Sequence, residues 1–190
     1  MFRMTHSLAF LAFAGIAFAQ TVATAHEPFL KMLHDREDQS WARKSGLDAT
    51  DVHEMRLAVG ISDTSSSSIA NIDANSLGRN KHILLVEALG QCVRLHVLER
   101  TVSEFKEVWS SSGITTNETP GRETVLSREI ETGRRQGFCS QAPRAASAHA
   151  TADGRIVVEV PILFDLWEKT IPVYTYSFAW DGSKYVLLVS

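Results

Sequence analysis

Catalytic or metal-binding chemistry in this 190-residue chain would be indicated by histidine, serine or cysteine residues at the fixed spacings of known motifs. The stretch "HEMRL" begins at His53 like a zinc-protease helix, but Leu57 stands where such a helix needs its second histidine. The chain has no GxSxG elbow around a serine and no CxxC pair. Because a catalytic triad is assembled in space, a hydrolase stays possible, but the sequence assigns no catalytic residue.

The segment "FDLWEK" offers a second kind of chemistry. Asp165 and Glu168 are a pair of carboxyl groups of the type that glycoside hydrolysis uses, and Trp167 between them could stack on a sugar ring. A loop whose apolar residues cover a sheet while its charges face water has the same composition. We favour this second interpretation and keep Trp167 only as a candidate binding residue.

The first 25 residues have the organisation of a secretory signal peptide. Arg3 precedes an apolar run from Leu8 to about Phe18, and small residues follow. This run is shorter than the ~20 apolar residues of a transmembrane helix. Cleavage is expected after residue 19 or after residue 25, where small-x-small patterns end. We therefore predict a periplasmic or secreted protein with no membrane span after cleavage and a single domain over residues 26–190.

Cleavage after residue 25 would make His26 the first residue of the mature chain. A terminal amine and an imidazole on one residue suit Cu(II), and a second histidine would complete the site. In this one residue the chain resembles the histidine brace of copper-dependent polysaccharide monooxygenases. Since no second ligand is identified, no cofactor is predicted, and copper binding at His26 is kept as an alternative.

Cys92 and Cys139 are the only cysteines of the chain, and both remain after either cleavage. An even number of cysteines in an exported protein predicts a disulfide. The bond would close a loop of about 48 residues and stabilise the fold by ~4 kcal/mol in the chain-entropy description.

Aromatic residues alternate along "VYTYSFAW" near the end of the chain. If they were exposed, they would form a recognition surface, because Tyr and Trp dominate binding hot spots. The other side of the same strand carries only small or hydroxyl side chains after Val173, so we expect the aromatic side to be buried as core. The candidate binding residues from this strand are Tyr174, Tyr176 and Trp180.

Charge excludes several classes of partner. The formal net charge is −3 and charged residues make up 22% of the chain. This balance gives no basic stripe of the kind that nucleic acid or an anionic membrane surface attracts. The expected partner is an unidentified protein or small molecule of the periplasm or extracellular space.

The candidate residues must be positioned by helices and strands, and the signals for helices come first in the expected domain. Pro28 and Gly46 are suited to the start and stop of a first helix. Asp48 is suited to the N-cap of a second helix, over about Ala49 to Val59. The segment "SDTSSSSIANIDANSLGRN" is polar and contains four successive serines, so it is expected to be a loop.

Strand patterns follow. "HILLVEAL", "CVRLHVLER" and "FKEVWSS" predict a three-stranded antiparallel meander, and "RIVVEV", "VYTYSFAW" and "KYVLLV" predict further strands. Asp181-Gly182 predicts a hairpin turn rather than a binding motif.

The sequence thus predicts an α+β fold, in which one or two N-terminal helices precede an antiparallel, meander-like sheet with one disulfide. The function that we expect is that of a small exported soluble protein, a non-catalytic binding or accessory module. An exported enzyme, either a hydrolase or a copper protein using His26, is the alternative.

Overall fold

The computed structural model describes residues 8–77, 82–111, 137–140, 144–161 and 173–188, with side chains from Glu27 onward except at positions 75 and 76. Within these ranges two helices precede nine strands in two antiparallel sheets, and one disulfide is present. The predicted α+β class and the order of helices before sheet are confirmed.

The helices are α1, Leu8–Ser45, and α2, Ala49–Ala58. Helix α1 contains Pro28 and extends back through the apolar run of the expected signal peptide. Neither helix combines the length and the apolar content that crossing a membrane requires, within the residues described.

Local sequence explains where α2 begins. The Asp48 carboxylate accepts a hydrogen bond of 2.7 Å from the backbone N–H of Thr50, as the predicted N-cap should. At its other end Val59 is the C-cap, and Gly60 follows at a φ of 82°, a left-handed conformation that glycine adopts without steric cost.

A buried ion pair fixes the two helices to each other. The guanidinium of Arg56 on α2 is fully buried and donates to both carboxylate oxygens of Asp38 on α1, at 3.1 and 3.2 Å. His53 and Asp63 extend the network at 3.4 Å each. Because removing one member would leave a buried charge without its partner, this network fixes the position of α2 on α1.

The first sheet has five strands among the described residues. Its path runs β1-β2-β3-β4, and the short β5 pairs with β3 beside β4. The predicted meander corresponds to the second, third and fourth strands and is confirmed. The strands are β1, Ser68–Leu77; β2, His82–Leu89; β3, Cys92–Arg100; β4, Phe105–Ser110; and β5, Phe138–Cys139.

Strand β1 corrects the expectation that the serine-rich segment is a loop. Its pairing with β2 shifts register between Ile69 and Asn71 and again between Asp73 and Leu77. These irregularities bring Ile69 and Ile72 to the same face although they are three residues apart. The period of two that identifies a strand is therefore absent from the sequence.

The second sheet has four strands, each paired with its neighbour in sequence. The turn between its last two strands is the predicted hairpin, in which Asp181 accepts from the backbone N–H groups of Ser183 and Lys184 at 2.8 Å. Within this sheet, β6 is the strand that the sequence analysis did not predict. The strands are β6, Ser147–Ala150; β7, Ile156–Pro161; β8, Val173–Trp180; and β9, Tyr185–Leu188.

The helices, the five-stranded sheet and the four-stranded sheet form three layers. Val52 and Met55 of α2 pack with Leu85 on one face of the five-stranded sheet. On its other face, Leu84 packs with Ile156 of the four-stranded sheet. Strand β2 is therefore buried on both sides from His82 to Glu87, which is why its sequence is an almost continuous apolar run.

The two sheets also meet at their edges. On β1, the Asp73 carboxylate accepts from the backbone N–H of Ala150 at 2.7 Å, and the Asn71 amide donates to the carbonyl of Ala148 at 3.1 Å. These side chains satisfy backbone groups of β6, so this edge strand is not left open to other strands.

The predicted disulfide is present between Cys92 on β3 and Cys139 on β5, which lie directly opposite each other in the sheet. The strands approach closely here, since a Cβ added to Gly137 would lie 2.2 Å from the carbonyl oxygen of Val93. The disulfide and this contact attach the segment around β5 to the centre of the sheet.

Replacing both cysteines with alanine should lower the free energy of unfolding by ~4 kcal/mol, because the unfolded chain loses its crosslink. Denaturant unfolding of the oxidised protein and of the Cys92→Ala/Cys139→Ala variant measures this difference. The wild-type protein in strong reductant is the control and should match the variant. A loss of less than ~1 kcal/mol would show that the crosslink contributes little beyond one ordinary hydrogen bond.

Candidate functional site

A cluster of charged side chains lies on the helix-facing side of the five-stranded sheet. The register of β2 and β3 places Glu87 directly opposite Arg94, and their side chains are joined at 3.1 Å. The imidazole of His96 lies between two carboxylates, with Nε2 3.2 Å from Glu87 and Nδ1 2.5 Å from Glu107 on β4. Glu87 and His96 are both buried, whereas Glu107 reaches the surface.

The two carboxylates determine the charge of His96. Burial by itself would lower the pKa of this imidazole, but hydrogen bonds and charge from Glu107 and Glu87 outweigh it and raise the pKa above its usual value. Burial likewise favours the neutral form of Glu87, yet His96, Ser67 and Arg94 together lower its pKa. Both directions favour the charged forms, an imidazolium between carboxylates.

Hydrogen bonds connect this cluster to helix α1 through the serines. The Ser67 hydroxyl donates to Glu87 and lies 2.6 Å from the hydroxyl of Ser65. The carbonyl of Ser65 accepts at 2.9 Å from Nε2 of His34, which is buried on α1. We call this chain of groups, from His34 through the serines to Glu107, the polar seam.

Helix α1 also covers the outer edge of β1. The Glu37 carboxylate accepts from the backbone N–H of Ile69 at 2.8 Å, and the Trp41 indole donates to the Ile69 carbonyl at 3.2 Å. Residues four apart lie on the same face of a helix, so both side chains reach the same peptide groups. They occupy the donor and acceptor positions that a neighbouring strand would otherwise fill.

A groove of about 200 Å³ lies between α1 and the serine segment. Leu30 and Leu33 form its apolar wall, residues 65–68 form its polar wall, and His34 and Glu37 complete the lining. Beside it the side chains of Phe29, Met32 and Leu33 are exposed by 54%, 39% and 41%. These three residues, at positions i, i+3 and i+4 of α1, form an apolar strip at the surface.

The chemistry available in the polar seam is restricted by its pairing. A histidine that acts as a general base needs one ring nitrogen free to accept a proton. In His96 both nitrogens face carboxylates, so the ring has no free position for a nucleophile. Across the part of the chain that the structure describes, no group of three or more His, Cys, Asp or Glu side chains is arranged to hold a metal ion.

The aromatic binding candidates lie on the inner face of β8. Tyr176 is buried, with its ring 5.4 Å from that of Phe138, and Phe178 is equally enclosed. Tyr174 and Trp180 are partly buried and pack against the same core. The expected burial is found at Tyr176 and Phe178 but only in part at Tyr174 and Trp180, whose role in recognition stays a prediction.

The remaining candidates are less fully placed. Trp167, Asp165 and Glu168 lie outside the described residues, and so their roles stay predictions. His26 falls within α1, and its side chain is not described. On a continuous helix His34 would lie ~12 Å further along the axis, too far to supply a second ligand to a metal at His26.

Sequence reasoning missed the polar seam. His96 and Glu87 each stand among apolar residues of a strand pattern, which gives no sign that they pair. One signal was available, since a tight turn at Gly90 places Glu87 opposite Arg94. The contact between His96 and Glu107 depends on a register shift between β3 and β4, and the contact with Ser67 depends on the fold of the serine segment.

Comparison with protein-family models, with curated proteins and with solved structures gave no match to this chain.

The charged state of His96 predicts a pH dependence with a definite sign. Because its folded-state pKa is raised above the unfolded value of about 6.5, its contribution is complete below that pH and is lost as pH rises through the folded-state pKa. His96→Gln should therefore cost ~3 kcal/mol at pH 6 and clearly less at pH 9. Denaturant unfolding at both pH values tests this, with the exposed His149→Gln as control. An equal cost at both pH values would contradict the imidazolium.

Proposed function

We propose that this protein is a small exported, non-catalytic binding module of the periplasm or extracellular space. The disulfide supports export, since such bonds persist in oxidising compartments, and so does the signal-peptide pattern of the first 25 residues. The pairing of His96 with two carboxylates supports a structural role for the polar seam. One observation carries the binding function: the exposed apolar strip lies beside a groove with one apolar and one polar wall.

The groove fits an extended peptide segment of a partner protein. An apolar side chain of the peptide would lie against Leu30 and Leu33, and its backbone would face the serine segment. There the exposed Ser66 and Ser68 present hydroxyl groups, which both donate and accept hydrogen bonds. Hydrogen bonds from the peptide backbone to these hydroxyl groups would supply affinity, and the apolar wall would supply selectivity, the division of roles known from extended-peptide recognition.

Phe29 and Met32 enlarge this surface next to the groove. Apolar side chains that are exposed singly are normal, but Phe29 and Met32 adjoin Leu33 on one helix face and form a continuous apolar patch with it. Leu57 is also an exposed leucine, at 50%, but it lies on α2 and does not belong to the strip. It therefore provides a matched control position.

Selection of a random peptide library on the oxidised protein tests the groove. Selected peptides should share an apolar residue, and Leu33→Ser should weaken their binding at least ~10-fold, the equivalent of ~1.4 kcal/mol. Leu57→Ser should bind them as the wild type does. Peptides that bind Leu33→Ser with unchanged affinity, or a selection that enriches none, would contradict the groove as the binding site.

Export is tested separately by the intact mass of the protein made with its own leader. The expected product begins at residue 20 or 26 and lacks two hydrogens because of the disulfide. A first residue of Gln20 would also remove the terminal amine that copper binding at His26 requires. A full-length, fully reduced product retained in the cytosol would overturn the proposed compartment.

A further inference from the structure

His82 differs from every group of the polar seam, because one of its ring nitrogens is buried without a hydrogen-bond partner among the described residues. It begins β2 and points between the two sheets, and the residue is only 6% exposed. Its Nδ1 atom is inaccessible to solvent and has no hydrogen-bond partner among the described residues. The neighbours of the ring are aromatic: the Trp180 ring lies 4.7 Å away, nearly perpendicular, and the Tyr185 ring lies 6.2 Å away.

The aromatic neighbours belong to the other sheet. Trp180 is the last residue of β8 and Tyr185 the first of β9, so they stand on either side of the hairpin turn. Their rings contact each other at 5.2 Å, and Trp109 of β4 contacts Tyr185 at 5.5 Å. His82 therefore lies at the place where the β8–β9 hairpin is attached to the five-stranded sheet.

This environment distinguishes the two protonation states of the ring. In the neutral ring with its proton on Nε2, Nδ1 is an unpaired acceptor, which carries the desolvation cost of one neutral polar atom. Protonation places an N–H donor and a positive charge at a buried atom with no acceptor, which is far more costly. Burial accordingly lowers the pKa of His82, although the carboxylate of Glu99 acts in the opposite direction.

Among the residues that the structure describes, the titratable groups around His82 do not compensate for a charge on its ring. Glu99 is opposite His82 on β3, but it is exposed and is itself paired in register with Lys106 of β4. Tyr185 offers no anion, because burial raises the pKa of its phenol to about 12. On β1 the paired residue is the uncharged Leu77, and Asp181 and Lys184 of the hairpin turn are exposed.

We propose that His82 is an acid-sensitive latch between the sheets: protonation of its buried Nδ1 releases the β8–β9 hairpin from the five-stranded sheet. If the protein is exported as proposed, it meets the pH of its surroundings directly. The latch would then make the contact between the β8–β9 hairpin and the five-stranded sheet depend on external acidity. The sign is opposite to that of His96. Because the folded-state pKa of His82 lies below the unfolded value of about 6.5, its contribution is complete above that pH and is lost as pH falls through the folded-state pKa.

Thermal unfolding of the oxidised protein between pH 7.5 and 4.5 tests the latch. His82→Phe keeps an aromatic ring but cannot be protonated, so its unfolding midpoint should fall less steeply with acid than that of the wild type. The exposed His149→Gln should follow the wild-type curve. Parallel curves for the wild type and His82→Phe across the whole range would overturn the proposal.

A second measurement does not depend on the variant folding. In the NMR titration of the wild-type histidines, His82 should titrate below 6.5, the ordinary value for a histidine. Its titration should coincide with shifts of the amide signals of Trp180 and Tyr185. A His82 ring that titrates at or above 6.5, or that titrates without any change in the hairpin, would overturn the latch.

Discussion

The rest of the structure depends on the burial of the five-stranded sheet on both faces. Helices cover one side of β2 and β3, and the four-stranded sheet covers the other. A polar side chain on these strands has little access to water, so it must be paired within the protein or remain uncharged. His96 is paired with two carboxylates, whereas His82 lies among aromatic rings. The same sheet therefore favours the cationic form of His96 and the neutral form of His82.

The same constraint explains the groove. Helix α1 must lie along the edge of β1 to cover the sheet, and Glu37 and Trp41 satisfy the outward peptide groups of Ile69. Arg56 and Asp38 hold the second helix against the first. The serine segment passes between α1 and Glu87 and so presents its hydroxyl groups both to the interior and to the surface. The proposed binding surface is a consequence of how the helix layer is fixed.

Much of this fold could be predicted from sequence because the signals are local. The N-cap at Asp48 and the apolar run of β2 each identify an element without knowledge of its neighbours. The disulfide followed from the number of cysteines and the expected compartment. Strand β1 escaped prediction because its bulges remove the alternation, and the polar seam escaped because cross-strand contacts depend on register. Nothing in the residues around His82 and Trp180 shows that they meet, since their strands belong to different sheets and are joined only by tertiary packing.

Residue-resolved amide hydrogen exchange of the oxidised protein tests the central claim most directly, because exchange rates report local opening free energies. If double-sided burial of β2 and β3 stabilises the whole fold, then the amides of Leu84, Leu85 and Val97 should exchange most slowly and only through global unfolding. The edge strands β4 and β9 should open at lower cost. Exchange in β2 and β3 that is as fast as in those edge strands would contradict the account.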